Sequence, residues 1–252
     1  MKTITFIGNG NMALSIAKGL KNKYKIEVVG RSFEKLEKFQ SELGVEVDMF
    51  LMKNFDTTDK TVMLCTKPAN IEDVAKEVKG KARVVYSVLA GTSVERLKKV
   101  LKPHAVVRSM PNLAASVGKS MTTLTGDESF KEEAEELLGA IGTTLWLGSE
   151  KEIDIATALA GSGPAYLALV AEALADGAVK QGLKRADAMT LMRGLFSGFG
   201  DLIQDVHPAL LKDGVMSPGG TTAAGYGALE DGNVRSACID AIERAYKRAT
   251  EL

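Results

Sequence analysis

Cysteine and histidine are scarce in this sequence, and their scarcity excludes several kinds of site. The 252 residues include two cysteines, Cys65 and Cys238, and two histidines, His104 and His207, which stand far apart along the chain. Two cysteines cannot build a disulfide framework or a cysteine-rich metal site, and they fit a reducing cytoplasm. Because no histidine, cysteine or carboxylate cluster is present at metal-ligand spacing, we expect no metal.

An excess of charge of either sign is also lacking. Lysine and arginine number 32, aspartate and glutamate also number 32, and the net charge is zero. This balance indicates neither nucleic-acid binding nor a polybasic membrane surface. The apolar stretch from Ala165 to Val179 is interrupted by Glu172 and Asp176, so we expect no membrane span. The remaining composition is typical of a globular protein with one large or two modest domains.

The first half of the chain alternates predicted strands and helices. Its first strand, Lys2 to Gly8, is rich in β-branched and aromatic residues and leads directly into a Gly-x-Gly-x-x-Ala sequence, before a predicted helix from Leu14 to Lys21. In this position the sequence is typical of dinucleotide binding by a Rossmann-type fold. The first glycine permits a tight turn, the second lets a pyrophosphate approach the backbone, and the alanine lets helix and strand pack closely. The six residues are Gly8, Asn9, Gly10, Asn11, Met12 and Ala13.

The end of the second predicted strand, Lys25 to Gly30, indicates which dinucleotide binds. An acidic residue here would select NAD through the ribose 2′-hydroxyl, but the sequence continues with Arg31 and Ser32. A guanidinium suits a 2′-phosphate, so we predict NADPH as the preferred cofactor and NADH as the second. The alternative is that Ser32 only caps the next helix, Phe33 to Leu43, while Arg31 lies in solvent.

Further buried strands are predicted along the first 150 residues, with a helix around Phe130 to Ile141. Parallel strands of a doubly wound sheet place their ligands at the carboxyl ends, where this chain has Lys67-Pro68, Ala90-Gly91 and Asn112. From the residues alone, Lys67 and Asn112 fit turn formation and cofactor contact equally well. Asn70 and Ser93 are predicted helix caps. The predicted strands are Thr61 to Thr66, Arg83 to Val88, Ala105 to Ser109, Met121 to Thr125, and Thr143 to Leu147.

The second half of the chain is predicted to be entirely helical. We therefore divide the chain into a dinucleotide-binding domain, residues 1–150, and a helical domain, residues 151–252. Alanine and glycine are frequent on the helix faces. A helical domain of such small side chains buries too little apolar surface to be stable alone. We predict an interdigitated homodimer through this domain, with a self-contained bundle as the alternative. The predicted helices are Ile153 to Ala160, Pro164 to Gln181, Arg185 to Asp205, and Val234 to Leu252.

A tight loop in the second half carries the strongest functional signal. It includes Ser217, Pro218, Gly219 and Gly220, and it leads into a helix that begins near Thr221. Free N–H groups at a helix start can bind an anion, and the hydroxyl groups add adaptable donors and acceptors. Taken alone, Gly-Gly-Thr-Thr is more often a helix cap after a glycine-rich turn.

The longer string, Val-Met-Ser-Pro-Gly-Gly-Thr-Thr from residue 215, with Gly225 and Leu229-Glu230 after it, resembles the signature of pyrroline-5-carboxylate reductases. Lys67-Pro68, Ala90-Gly91 and the string from Arg108 to Asn112 also resemble that family in order and spacing. The resemblance covers nearly the whole chain. It implies reduction of 1-pyrroline-5-carboxylate to L-proline by NADPH or NADH, the last step of proline biosynthesis. It also implies a homodimer, or an assembly of dimers, in the cytoplasm.

The resemblance assigns roles to particular residues. It places the active site between the nicotinamide end of the first domain and the loop from Ser217 to Thr222 of the dimer partner. Ser217 and Thr222 are the candidate catalytic residues, and the Thr222 hydroxyl is expected to face the ring nitrogen. The substrate carboxylate is expected on the N–H groups of Gly219, Gly220 and Thr221, since helix starts bind anions. The implied cofactor contacts are Gly8, Asn9, Gly10, Asn11, Met12, Ala13, Arg31, Ser32, Thr66, Lys67, Pro68, Ala90, Gly91 and Asn112.

Two other functions fit part of the pattern. A 3-hydroxyacid dehydrogenase of the 6-phosphogluconate-dehydrogenase type also joins a dinucleotide domain to helices. Its helix requires a lysine and an asparagine where this chain has Leu167 and Ala171, and apolar residues cannot support alcohol oxidation. A regulatory protein that binds NADP without a reaction would be expected to show damage in the loop from Ser217 to Thr222, which is intact.

Overall fold

The computed structural model describes residues 1–251 and divides the chain into two compact units. The first unit comprises residues 1–162 together with the chain from 244 onward, and the second comprises residues 163–243. The first unit therefore extends past residue 150. The division predicted at residues 150 and 151 stays a prediction.

A single sheet of eight strands forms the centre of the first unit, which confirms the predicted Rossmann-type sheet. The strand order is β3-β2-β1-β4-β5-β6-β7-β8, and β7 runs antiparallel to β6 while the other neighbours are parallel. The edge strand β3 was not predicted. The strands are β1 Thr3–Ile7, β2 Lys25–Gly30, β3 Asp48–Leu51, β4 Thr61–Leu64, β5 Val84–Ser87, β6 Ala105–Met110, β7 Ser120–Gly126 and β8 Gly142–Trp146.

Helices cover both faces of this sheet and bury an apolar core on each side. One core contains Phe6, Leu36 and Tyr86, and the other contains Val62 and Leu97. The central strands are buried on both faces, which is why their sequences are continuous runs of apolar residues rather than alternating ones. The helices of this unit are α1 Asn11–Leu20, α2 Phe33–Leu43, α3 Ile71–Glu77, α4 Val94–Leu101, α5 Lys131–Gly139 and α6 Glu150–Ala156.

Two predicted helix caps have opposite outcomes. The Ser93 side chain accepts a hydrogen bond from the Arg96 N–H at the start of α4, as predicted. The prediction for Asn70 is wrong, because its side chain makes no capping bond at the start of α3. Here Pro68 opens a 3-10 turn, Pro68–Asn70, that leads directly into the helix, so the chain enters α3 already helical.

The second unit is helical, as predicted. It contains one helix that was not predicted, α9, which spans Pro208–Val215. The His207 side chain caps its start by accepting from the Ala209 N–H. A π-helix, Thr157–Gly161, precedes α7 and belongs to the first unit. The remaining helices are α7 Gly163–Lys180, α8 Arg185–Leu202, α9 Pro208–Val215, α10 Thr221–Asp231 and α11 Val234–Thr250, the last of which continues past the second unit.

The segment Glu150–Lys180 is long and apolar enough to cross a membrane by length and composition. Its most apolar 18-residue window has a mean hydropathy of 1.4, and 11% of that window is buried. Helices of proteins that never enter a membrane pass the same test. An exposed apolar helix is also what a protein–protein interface requires.

Candidate active site

The turn after β1 has the tight geometry that was predicted for the start of a dinucleotide site. Gly8 has a φ of 106°, and its N–H donates to the carbonyl oxygen of Val29 at 2.9 Å. A Cβ atom at this position would lie 2.6 Å from the carbonyl oxygen of Cys65. Both the backbone conformation and the close approach of β4 therefore require glycine at residue 8.

The start of α1 offers unused hydrogen-bond donors next to this turn. Gly10 is the N-cap, no side chain caps the helix, and a Cβ at Gly10 would meet no atom within 4 Å. Ala13 is fully buried against the sheet, as the close-packing argument requires. A phosphate group can therefore approach the helix start along the open side of Gly10, where the N–H groups and the helix dipole favour an anion.

Thr66 lies at the carboxyl end of β4, beside the Gly8 turn. Its hydroxyl oxygen is buried and has no hydrogen-bond partner among residues 1–251. The Thr66 N atom lies 3.3 Å from where a Gly8 Cβ would be. A buried hydroxyl without a partner costs free energy unless a ligand satisfies it. Together with the glycine turn and the uncapped helix, this hydroxyl fits a bound dinucleotide.

Arg31 and Ser32 follow β2, as predicted. Neither side chain does what the alternative required, namely that Ser32 caps α2 while Arg31 lies in solvent. Ser32 is the N-cap residue of α2, but its side chain makes no capping hydrogen bond. The Arg31 guanidinium does not lie free in solvent, because it is paired with Glu77 at the end of α3, with 2.8 Å between Nη2 and Oε1. The Ser32 hydroxyl and part of the Arg31 fork therefore remain able to contact a ligand.

The other predicted cofactor residues occupy turns at the carboxyl ends of β4 and β5. Lys67 is exposed and precedes the 3-10 turn that Pro68 opens. Gly91 has a φ of 65°, so the Ala90-Gly91 turn requires its glycine. Parallel strands place both turns at the same edge of the sheet as the Gly8 turn.

Asn112 is buried, and both ends of its side-chain amide already have protein partners. Its Oδ1 accepts from the Ala114 N–H at 3.0 Å, and its Nδ2 donates to the carbonyl oxygen of Ala160 in the π-helix at 3.0 Å. This arrangement gives Asn112 the turn role that the sequence left open. Its predicted contact with the cofactor stays a prediction.

In the second unit, the loop before α10 contains two glycines, and the backbone conformation requires the first of them. Gly219 has a φ of 70°, a conformation that favours glycine. Gly220 has ordinary backbone angles, but a Cβ there would lie 2.6 Å from the Ser217 hydroxyl oxygen. The loop therefore brings the Ser217 hydroxyl directly over the start of the helix.

The hydrogen bonds of this loop engage one of the three N–H groups that were predicted to bind the substrate carboxylate. The Gly220 N–H donates to the carbonyl oxygen of Ser217 at 3.0 Å, so it is not free to hold a substrate carboxylate. By contrast, the N–H groups of Thr221 and Thr222 have no protein acceptor among residues 1–251, and no side chain caps α10. The anion site predicted on Gly219, Gly220 and Thr221 stays a prediction, and the free N–H groups on the first turn of the helix are those of Thr221 and Thr222.

Sequence reasoning missed Glu77 and Glu150, which contact predicted elements from far along the chain. Glu77 pairs with Arg31, and Glu150 accepts from the Val94 N–H at 2.8 Å and from the buried Arg108 at 3.0 Å. An isolated glutamate on a helix carries no signal of such a partner. A pairing across dozens of residues is visible only once the fold brings the two side chains together.

Two family models match separate parts of the chain. Residues 3–91 match a family described as NADP oxidoreductase, coenzyme F420-dependent, and residues 150–252 match the pyrroline-5-carboxylate reductase dimerisation family. The first match covers the glycine turn, Arg31 and the first five strands. The second covers the helical half, including the Ser217 loop.

Individual relatives resemble the chain over three quarters of its length or more. A pyrroline-5-carboxylate reductase of Thermus thermophilus is 37% identical and covers 99% of this chain and 98% of its own. One from Synechocystis is 40% identical over 77% of this chain and 75% of its own. The crystal structure of 1-pyrroline-5-carboxylate reductase from Streptococcus pyogenes superposes with a TM-score of 0.87, at 32% identity, over 99% of this chain and 98% of the other.

Proposed function

Since the chain belongs to the pyrroline-5-carboxylate reductase family, we propose that its two parts divide the family's reaction between them. The enzyme reduces the C=N bond of 1-pyrroline-5-carboxylate with NAD(P)H and forms L-proline, the last step of proline biosynthesis. In this proposal residues 1–150 bind the cofactor, and residues 151–252 bind the substrate and form a homodimer in the cytoplasm. The match of residues 150–252 to a dimerisation family supports the second assignment.

The proposed cofactor residues divide into three groups by the part of the cofactor that they contact. Gly8 to Ala13 and Thr66 surround the pyrophosphate, because they combine a close backbone approach, free N–H groups and a hydroxyl without a partner. Arg31 and Ser32 bind the 2′-phosphate and make NADPH the preferred cofactor over NADH. Lys67, Pro68, Ala90, Gly91 and Asn112 line the remaining edge. When bound, the nicotinamide supplies the hydride.

The substrate residues are those of the loop before α10. The carboxylate of the substrate lies at the N–H groups of Thr221 and Thr222, while Gly219 and Gly220 shape the turn and Ser217 adds a hydroxyl above it. These free donors, which follow a turn that requires Gly219, are the observation that carries this part of the proposal. The loop of one protomer serves the nicotinamide of its partner.

The proposed chemistry needs no strong general acid. A cyclic imine can take its proton from water before the hydride arrives, so positioning and electrostatics suffice. A hydroxyl can donate to a neutral imine or accept from an iminium, so the Thr222 side chain can follow the ring nitrogen through the reaction. Its exposed position on the first turn of α10 leaves the hydroxyl available for this contact.

The reaction is tested by following NADPH oxidation with racemic pyrroline-5-carboxylate. Piperideine carboxylate, pyruvate and a blank without an imine are run beside it. We expect oxidation well above the blank with pyrroline-5-carboxylate and none with pyruvate, because pyruvate offers no C=N bond. If pyrroline-5-carboxylate gave no oxidation above the blank, the central assignment would be wrong.

The role of Thr222 is tested by Thr222→Val, which removes the hydroxyl and keeps nearly the same shape. We expect kcat/KM for pyrroline-5-carboxylate to fall at least tenfold, about 1.4 kcal/mol of transition-state stabilisation, at unchanged NADPH affinity. Steady-state kinetics give the first quantity and fluorescence titration gives the second.

Thr221→Val is the matched control, since Thr221 contributes its backbone N–H, which valine keeps. The Thr221→Val substitution should change kcat/KM by less than about threefold. A Thr222→Val enzyme that melts earlier but turns over like the wild type would make Thr222 a residue of helix stability only, where losing a cap costs about 1 kcal/mol.

A further inference from the structure

The pairing of Arg31 with Glu77 joins the proposed 2′-phosphate site to α3. Both Nε and Nη2 of Arg31 approach Oε1 of Glu77, at 2.9 Å and 2.8 Å. The two side chains are 48% and 30% exposed, so the pair lies at the surface but is not fully solvated. One edge of the guanidinium is thus already occupied by a carboxylate.

Neither helix stability nor surface charge pairing accounts well for a glutamate at this position. Glu77 is the last residue of α3, where the negative end of the helix dipole disfavours a carboxylate. An ion pair this exposed contributes little to folding. Its direct contact with the residue proposed to select NADPH points to a role in cofactor choice instead.

A carboxylate in this place acts in opposite directions on the two cofactors. The 2′-phosphate of NADPH must compete with Glu77 for the guanidinium and is repelled by the same carboxylate. The ribose of NADH carries a 2′-hydroxyl instead, and this hydroxyl can donate a hydrogen bond to a carboxylate. Because NADH has no phosphate for Arg31 to bind, the pair can remain intact when NADH enters.

We propose that Glu77 is a specificity-determining residue that holds back the preference for NADPH. It does so by occupying Arg31 and by placing a negative charge near the 2′ position. This inference rests on the proposed contact between Arg31 and the 2′-phosphate. It predicts that the chain without this carboxylate discriminates more strongly in favour of NADPH.

The test measures binding to the enzyme without turnover. Calorimetry with adenosine 2′,5′-bisphosphate and with 5′-AMP reports the contribution of the 2′-phosphate alone, at a fixed ionic strength of about 0.1 M. Glu77→Gln removes the charge and keeps the shape. We expect it to tighten the bisphosphate at least threefold and to change 5′-AMP less than twofold, with the NADPH-to-NADH ratio of kcat/KM rising in parallel.

Glu72→Gln is the matched control, because Glu72 lies on the same helix and makes a similar pair with Arg96, at 2.8 Å. It should leave both ligands unchanged. If it tightened the bisphosphate as much as Glu77→Gln does, the effect would be one of net charge and the inference would fail.

Arg31→Ala separates this inference from the proposal beneath it. We expect Arg31→Ala to weaken the bisphosphate about tenfold or more, to leave 5′-AMP nearly unchanged, and to reduce the effect of Glu77→Gln in the double variant. A weakened bisphosphate in Arg31→Ala with no gain in Glu77→Gln would overturn the role of Glu77 alone. An unchanged bisphosphate in Arg31→Ala would remove the Arg31 contact and the inference together.

Discussion

The two compact units of this chain keep their apolar side chains in different places. In the first unit, Phe6, Ile16 and Leu36 are completely buried. In the second unit, Leu195 and Phe199 of α8 are 58% and 44% exposed, and within residues 163–243 the buried hydrophobic residues are two alanines. One unit has a core of its own, whereas the other presents the residues of a core at its surface.

This difference shows which unit can fold from its own sequence. Burying a leucine or phenylalanine stabilises a fold by about 1.5–3 kcal/mol, and the second unit leaves most of this stabilisation unused within one chain. A large exposed apolar surface of this kind is typical of a protein–protein interface. The match of residues 150–252 to a dimerisation family explains the exposure, and we propose that a second copy of the chain covers it.

The largest effect is expected from a substitution that creates a cavity in the core of the first unit. Phe6 is completely buried in the core that lies against α1 and α2. Phe6→Ala should therefore lower the free energy of unfolding by about 3–5 kcal/mol, independent of protein concentration. Urea denaturation followed by circular dichroism measures this change.

Phe199→Ala sharpens the contrast, because Phe199 is 44% exposed in the single chain. The substitution should destabilise the dimer rather than the single chain. The denaturation midpoint of the Phe199→Ala variant should therefore shift with protein concentration. A concentration-independent loss as large as that of Phe6→Ala would show that the second unit has a core within one chain.

The next effect is expected at the proposed dimer surface. Leu195→Glu places a charge among the exposed apolar residues of α8 and should raise the dimer dissociation constant at least 100-fold, about 2.7 kcal/mol. Light scattering at micromolar concentration should then report a monomer. Leu195→Met, which conserves volume, should remain dimeric. A wild-type chain that is monomeric in this measurement would contradict the dimer.

The smallest effect concerns pH and compares one carboxylate in each unit. Arg83 donates to Glu133 at 2.9 Å, and the hydrogen bonds from Arg83 and Tyr86 lower the pKa of the Glu133 carboxyl below its ordinary value. The pKa of Glu230 in the second unit is also lowered, first by its hydrogen bond from Arg235, but its side chain is 40% exposed, compared with 31% for Glu133. Solvent screens the Glu230 interaction more strongly.

A carboxyl whose folded pKa is depressed adds stability above its unfolded pKa and loses it as the pH falls through the folded pKa. Glu133→Gln should therefore destabilise the chain by less than about 1 kcal/mol near pH 7, and this difference should vanish in acid below the folded pKa. Glu230→Gln should show a smaller pH-dependent difference. Urea midpoints across this pH range measure both variants, and a difference for Glu133→Gln that did not depend on pH would contradict the assignment.

The sequence predicted the elements that have a strong local signal. The buried strands β1, β2, β4, β5 and β6 are runs of β-branched residues, and their turns contain the glycines that the geometry requires. The edge strand β3 was missed because Asp48–Leu51 is only four residues long and none of its residues is buried, so its short apolar run gave a weak signal. Helix α9 was missed for a similar reason, since none of its eight residues is buried.

The turn conformations of the candidate site could be predicted from the sequence, but its hydrogen bonds and ion pairs could not. Glycine-rich turns have local causes, so Gly8 and Gly219 could be placed from the sequence. The hydrogen bond that engages the Gly220 N–H depends on how the loop closes, and the partner of Arg31 comes from a helix 46 residues further along the chain. Such pairings are decided by the tertiary fold, which no local pattern encodes.

The buried Arg108 side chain determines where this protein can be cut. Its guanidinium is paired with Glu150 at 3.0 Å and Asp154 at 2.7 Å, both on α6, while the arginine itself lies in β6 with 4% of its side chain exposed. A chain truncated at Ser149 would keep the buried cation and discard both of its counterions, a loss of about 3–5 kcal/mol. Any attempt to produce the nucleotide-binding half by itself should therefore keep the chain through Ser162, beyond the last residue of the π-helix.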